Sequence, residues 1–136
     1  MSVAKEGDDK KTILVIDDEE IVRAVIRESL KVMGFDVLES ADGVSGVHRF
    51  SRNRSEIALV IVDRTMPRMV GEDVIKEIRA IRDDVPILLI SGYMEKDLYR
   101  WIEDDPKVLF LKKPFRRLQL AERVNALLKL DPTDSS

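Results

Sequence analysis

The 136-residue chain is predicted to fold as one α/β domain, a five-stranded parallel sheet with helices on both faces. Three observations predict it. Short apolar runs rich in β-branched residues alternate five times with stretches whose apolar residues recur at helical spacing. The connections between these segments are short, and right-handed crossovers between consecutive strands then require a parallel sheet. No internal repeat, low-complexity segment or linker interrupts the body, so one core is expected over residues 12–130, between flexible tails at 1–11 and 131–136.

Each element has its own signal. The first strand is Thr12 to Asp17, TILVID, an apolar run that ends in the acids Asp17, Asp18, Glu19 and Glu20. From Glu19 to Met33, the residues Ile21, Val22, Val25, Ile26, Leu30 and Met33 keep a helical period, and Gly34 stops it. FDVLES, from Phe35 to Ser40, alternates as a short second strand, and after the turn ADG the residues Val44, Val47 and Phe50 mark a second helix. The central strand, Ile57 to Asp63, runs four apolar residues, three of them β-branched, straight into one carboxylate and delivers it to a loop bounded by Pro67 and Gly71. Val74, Ile75, Ile78 and Ile81 form the third helical stripe. Val85 to Ile90 is the fourth strand and stops at Ser91-Gly92, a hydroxyl followed by a residue free to turn. Leu98, Trp101 and Ile102 mark a short fourth helix, Val108 to Leu111 the fifth strand, and Phe115, Leu118, Leu120, Val124, Leu127 and Leu128 the closing fifth helix.

Composition narrows the function. A formal charge of -3 argues against nucleic acid as the direct ligand. The chain has no cysteine and one histidine, His48, so a thiolate nucleophile, a disulfide and an all-protein zinc site are not expected, and His48 reads as a surface-helix residue. The N-terminal MSVAKEGDDKK lacks the apolar core of a signal peptide, and no run approaches the roughly 20 apolar residues of a membrane span. A soluble, cytoplasmic protein without membrane contact is expected.

A parallel sheet places all strand C-termini along one edge, where α/β proteins keep their sites. That edge gathers Asp17 and Asp18, Asp63, Ser91 and Lys113. Singly, each has an ordinary alternative: acid pairs cap helices, Ser-Gly turns a chain, and Lys-Pro sits on surfaces. Together they suggest chemistry. Three close carboxylates repel unless a proton or a cation sits among them, and a hard divalent ion such as Mg²⁺ suits a half-open cluster of oxygen ligands. A metal beside a carboxylate, a hydroxyl and an ammonium can receive a phosphoryl group, with Asp63 as nucleophile, Lys113 neutralising charge and Ser91 donating a hydrogen bond.

The motifs VIDDEE, VIVDRTMPRMVGED, LLISGY and FLKKPF together resemble the receiver domain of two-component response regulators over about residues 12 to 130. The resemblance implies a (βα)5, flavodoxin-like fold and a phosphorelay role, in which Asp63 accepts phosphate from a histidine kinase or histidine phosphotransfer protein. It implies Asp17, Asp18 and Asp63 as Mg²⁺ ligands with the backbone carbonyl of Thr65, Ser91 and Lys113 as the groups that bind the phosphoryl oxygens, and Phe110 as the aromatic that turns inward when Ser91 moves. Lys113 matches the motif because it directly precedes Pro114, and Lys112 is expected to be solvated. Ser91 stands where Thr is commoner and Phe110 where Tyr is commoner, which removes a methyl and a hydroxyl from the switch. Arg64, Thr65 and Tyr93 would flank the phosphoryl position.

The output implied is a changed surface on the fourth helix, fifth strand and fifth helix, around Tyr99, Phe110 and Phe115, facing a downstream protein, a fused output domain or a second copy. The domain would assist its own phosphoryl transfer and hydrolysis without being an enzyme for another substrate. Its setting, a stand-alone regulator or the receiver of a hybrid kinase or larger regulator, stays open. The competing reading is a Mg²⁺-dependent phosphatase that uses an aspartyl phosphate; that chemistry expects a second acid two residues after the nucleophile, and Thr65 occupies that place.

Overall fold

A computed structural model describes residues 10–92 and 104–129. Its strands are β1 (Thr12–Ile16), β2 (Asp36–Ser40), β3 (Ile57–Asp63), β4 (Ile87–Ser91) and β5 (Val108–Lys112), all parallel in the order β2-β1-β3-β4-β5. The helices with described bounds are α1 (Glu20–Val32), α2 (Gly43–Arg52), α3 (Gly71–Ile81) and the closing helix α4 (Arg117–Lys129). The expected fourth helix around Leu98, Trp101 and Ile102, the flanking Tyr93, the output residue Tyr99 and most of both tails lie outside the described residues.

Successive side chains of a strand point to opposite faces, and both faces of this sheet are covered, which is why its strands read as unbroken apolar runs. Leu14, Ile16, Val60, Val62 and Leu89 pack with Phe50 of α2 and Val74, Ile75 and Ile78 of α3. Ile13, Val15, Leu59, Ile61, Leu88 and Ile90 pack with Ile26 and Leu30 of α1 and Leu120, Val124 and Leu127 of α4. Alternate residues of a strand take opposite faces: the even-numbered residues of β1 and the odd-numbered residues of β4 face α2 and α3.

Helix ends follow local chemistry. Gly34 adopts φ 98°, and the hydrogen bonds Phe35 N–H to Leu30 O (3.0 Å) and Gly34 N–H to Lys31 O (3.0 Å) close α1 with the paired pattern of a left-handed C-terminal stop. Asp42 caps α2 by accepting from the Ser45 amide at 2.8 Å.

Several expectations need correction: β4 begins at Ile87 and not at Val85 and takes in Ser91, β5 runs on to Lys112, and Phe115 precedes α4, which begins at Arg117. β1 ends at Ile16, one residue early, although Asp17 N–H still donates to Ser40 O at 3.1 Å. Phe35 precedes β2 and does not belong to it. Ile21 is 81% exposed, and Val25, Val44 and Leu118 are exposed as well, so four residues of the helical stripes do not join the core. No helix among the described residues is long and apolar enough to cross a membrane.

The strand order reverses direction between β1 and β3, since the chain leaves β1 for β2 on one side and later returns for β3 on the other. A crevice opens at the C-terminal ends of strands at such a reversal. Asp17 follows β1 and Asp63 ends β3, so the sheet topology puts both acids there.

Candidate functional site

Asp17, Asp18 and Asp63 converge as expected: one carboxylate oxygen from each lies within 4.8 Å of the others. Asp17 and Asp63 are buried, 1% and 2% exposed, and Asp18 is at the surface. Asp17 Oδ1 accepts from the Glu19 amide at 2.8 Å, and Asp63 Oδ1 accepts from the Thr65 amide at 3.3 Å. Burial pushes the Asp17 carboxyl up to about 6, with the Asp63 and Asp18 charges adding to the rise and the Glu19 amide and Lys113 opposing it. Burial raises the Asp63 carboxyl too, against the pull of Lys113 and the Thr65 amide.

Lys113 enters from the loop after β5. Its Nζ lies 3.4 Å from Asp63 Oδ1, 3.9 Å from Asp17 Oδ2 and 3.2 Å from Glu19 Oε1. Its burial disfavours the ammonium, but the surrounding carboxylates outweigh that and raise its pKa. The main chain fixes the entry point, because Lys113 N–H donates to Ser91 O at 2.7 Å, and the Lys113–Pro114 peptide bond is cis. Lys112 is exposed, as expected.

Ser91 closes β4 at 1% exposure, one residue beyond Ile90, which pairs with Asp63. Phe110 is half-buried, pairs with Leu89 and packs on the α2–α3 side of the sheet. Its carbonyl accepts from Arg123 Nε of α4 at 3.1 Å. His48 is exposed on α2, away from the cluster, in keeping with the surface reading.

The loop after Asp63 is held from below. Gly71 N–H donates to Arg64 O at 2.9 Å, and a Cβ on Gly71 would lie 2.7 Å from Arg64 Cα and 2.9 Å from Asp63 O. Backbone atoms cannot yield as a side-chain tip does. Gly71→Ala is therefore expected to cost about 1–3 kcal/mol in denaturant unfolding and to weaken divalent-metal binding by displacing the Asp63 loop. Unchanged stability with unchanged metal affinity would show that the loop has room.

Sequence reasoning missed four contacts. Glu19 reaches Lys113, 94 residues away. Arg23 donates to the Asp17 carbonyl at 2.7 Å while its Nε pairs with Glu39 at 3.1 Å, tying α1 and β2 to the acidic turn. Arg64, expected only to flank the phosphoryl position, donates through Nε to Glu72 Oε2 at 2.8 Å on the first turn of α3. An arginine three or four residues before a glutamate on one helix would have been legible; these partners sit on different elements.

The cluster fits a hard divalent cation. Its donors are carboxylate oxygens, and Asp17 Oδ2 is buried without a hydrogen-bond donor, a costly state that a cation would relieve.

Comparison with known proteins agrees with this geometry. The sensor kinase CckA of Brucella abortus is 34% identical over 118 residues, which span 87% of this chain and 12% of CckA. The response regulator MprA of Mycobacterium sp. (strain KMS) is 34% identical over 122 residues, 90% of this chain and 52% of MprA, so the chain spans about half the length of that regulator. The crystal structure of the receiver domain of the hybrid histidine kinase CckA superposes with a TM-score of 0.74 at 35% identity, covering 86% of this chain and 98% of that one. Residues 13–125, which carry every acid of the cluster together with Ser91, Phe110 and Lys113, match the sequence model of the response regulator receiver domain, and the chain belongs to that family of two-component signalling domains.

Proposed function

We propose that the domain accepts a phosphoryl group on Asp63 and passes the event to its β5 side. The observation that carries this reading is the Lys113 ammonium, 3.4 Å from Asp63 Oδ1 at the mouth of a three-carboxylate cluster. An oxygen of the ionised Asp63 carboxylate bonds to phosphorus as the bond from phosphorus to the donor's leaving atom breaks, and the leaving atom departs with that electron pair. Lys113 balances charge on the transferring oxygens, and the Ser91 hydroxyl, buried at the adjoining strand end, donates to one of them. Asp17, Asp18, Asp63 and the Thr65 carbonyl would hold Mg²⁺, whose charge offsets the acids and the incoming phosphoryl oxygens.

Similarity to a sensor kinase and to a response regulator supports a histidine kinase or histidine phosphotransfer protein as donor, and a downstream protein or fused output domain as recipient. The phosphatase alternative lacks its proton donor, since Thr65 stands two residues after Asp63. Incubation with a small phosphodonor and Mg²⁺ should give one base-labile phosphoryl group per chain, and none with a chelator. Label that survives chelation, or that is acid-labile, would overturn the reading.

The switch is expected to run through Ser91 and Phe110. Drawing Ser91 toward a phosphoryl group pulls the end of β4, and β4 pairs with β5 from Ile87↔Val108 to Ser91↔Lys112. Phe110 lies in that strand, and its carbonyl holds Arg123, so α4 receives the same displacement. Couplings of this kind are about 1–3 kcal/mol. With beryllofluoride as a phosphoryl mimic, NMR shifts should reach Phe110 and Arg123, and Ser91→Ala should bind the mimic with the distant shifts reduced. Shifts confined to the loops of Asp17, Asp63 and Ser91 would refute this route.

A further inference from the structure

Glu19 sits at the N-cap of α1, a position usually held by a short side chain that folds back onto the first free amides. Here no side-chain cap hydrogen bond forms. The carboxylate extends across the mouth of the acidic crevice instead, to Lys113 Nζ at 3.2 Å, and it is 61% exposed. That contact is shorter than either contact Lys113 makes with the buried acids, 3.4 Å to Asp63 and 3.9 Å to Asp17. The ammonium is therefore shared between an outer carboxylate and the inner cluster. A lysine ammonium has three donor hydrogens, and here three carboxylates face them, so a bond gained to a new anion on Asp63 weakens one of these contacts, and exposed Glu19 is the partner that water can most easily replace.

We infer that Glu19 is a positioning residue for phosphoryl acceptance: it holds Lys113 at the lip of the crevice and competes with the phosphoryl group for its ammonium. This rests on the reading of Asp63 as acceptor. Before phosphoryl transfer, Glu19 holds Lys113 extended at the mouth of the crevice and near Asp63. Once the phosphoryl group is attached, part of the Lys113 contact transfers to its oxygens, and Glu19 is released to solvent, which its exposure makes easy. The pair thus sets how strongly the site favours the phosphoryl group, and it lowers that preference relative to a Lys113 without an outer partner.

The test measures beryllofluoride affinity at saturating Mg²⁺ in wild type, Glu19→Gln, Glu19→Asp and Lys113→Met, and in the double variants of Lys113→Met with each Glu19 change. Exposed ion pairs are weak, so Glu19→Gln is expected to tighten binding by about two- to fivefold. Glu19→Asp keeps the charge but shortens the reach, and it should tighten binding like Glu19→Gln; behaviour like wild type would mean that only the general negative field matters, and would overturn the contact. In the Lys113→Met background both Glu19 changes should lose their effect, since the residue acts through Lys113, whereas an undiminished effect would also overturn it. Melting temperatures of the Glu19 variants, expected close to wild type, separate these results from misfolding. If wild type binds the mimic and Glu19→Gln leaves affinity unchanged, the positioning role alone falls; if wild type and all variants bind none, the acceptor reading falls and takes this inference with it.

Discussion

Replacing Asp63 with Asn is expected to abolish phosphoryl uptake while leaving the fold intact and somewhat more stable. Three carboxylates are near enough to compete for the role, and their surroundings differ. Asp18 is exposed, whereas the other two are buried. Asp17 is buried but is oriented by the Glu19 amide, with Lys113 at the longer 3.9 Å. Asp63 ends the central strand, where β1 and β4 flank it on either side, and it has Lys113 at 3.4 Å and Ser91 at the neighbouring strand end. Asn keeps the shape and can still accept from the Thr65 amide, but it has no anionic oxygen to attack phosphorus. Because burial raises the Asp63 carboxyl, ionising it in the folded chain opposes stability, and removing that charge favours the native state. Labelling of Asp63→Asn at the wild-type level would reassign the acceptor. A large loss of stability on Asp63→Asn would mean that its charge holds the fold together.

The parts of this molecule that could be read from sequence are those with local signals. β3 has the expected bounds, Ile57–Asp63, because an unbroken apolar run ending in an acid is both a strand signal and a site signal. The acids, Ser91 and Lys113 could be placed at one edge because a parallel sheet sends every strand end there. Periodicity marked the helices but overstated their buried faces: Ile21 and Leu118 are the second residues of α1 and α4, and both are exposed. Glu19 read as one acid in a run of four, and nothing local distinguishes an acid that meets a lysine 94 positions on from one that meets water. Ion pairs across elements, such as Arg64–Glu72 and Arg23–Glu39, follow from packing geometry and have no spacing rule. The cluster of acids was legible, and the supports that hold it were not.

Asp17→Asn is expected to stabilise the metal-free domain at neutral pH, to lose that advantage in acid and to weaken Mg²⁺ binding. Asp17 ordinarily titrates near 3.8 and is raised to about 6 by burial, helped by the neighbouring acids. The folded chain therefore holds this proton more tightly than the unfolded chain, and between these two values it binds more protons. Stability contributed by Asp17 then falls as pH rises from about 4 to about 6, and above 6 the full penalty is present, on the order of 3 kcal/mol. Asn removes the charge but keeps an oxygen for the Glu19 amide, so the hydrogen bond at 2.8 Å need not be lost. Lys113 gives up its 3.9 Å contact with Asp17 and keeps Glu19 and Asp63, which limits the loss. Denaturant unfolding with a chelator should show a gain of about 1–3 kcal/mol near pH 7.5 that shrinks toward zero near pH 4. Adding saturating Mg²⁺ should narrow or reverse the gap, because wild type couples metal affinity to folding and the variant does so less. Asp18→Asn, at the surface, should weaken Mg²⁺ binding with a smaller change in metal-free stability. A pH-independent gain for Asp17→Asn would mean that its charge is already compensated in the folded chain, and unchanged Mg²⁺ affinity in both variants would reduce Asp17 and Asp18 to structural acids.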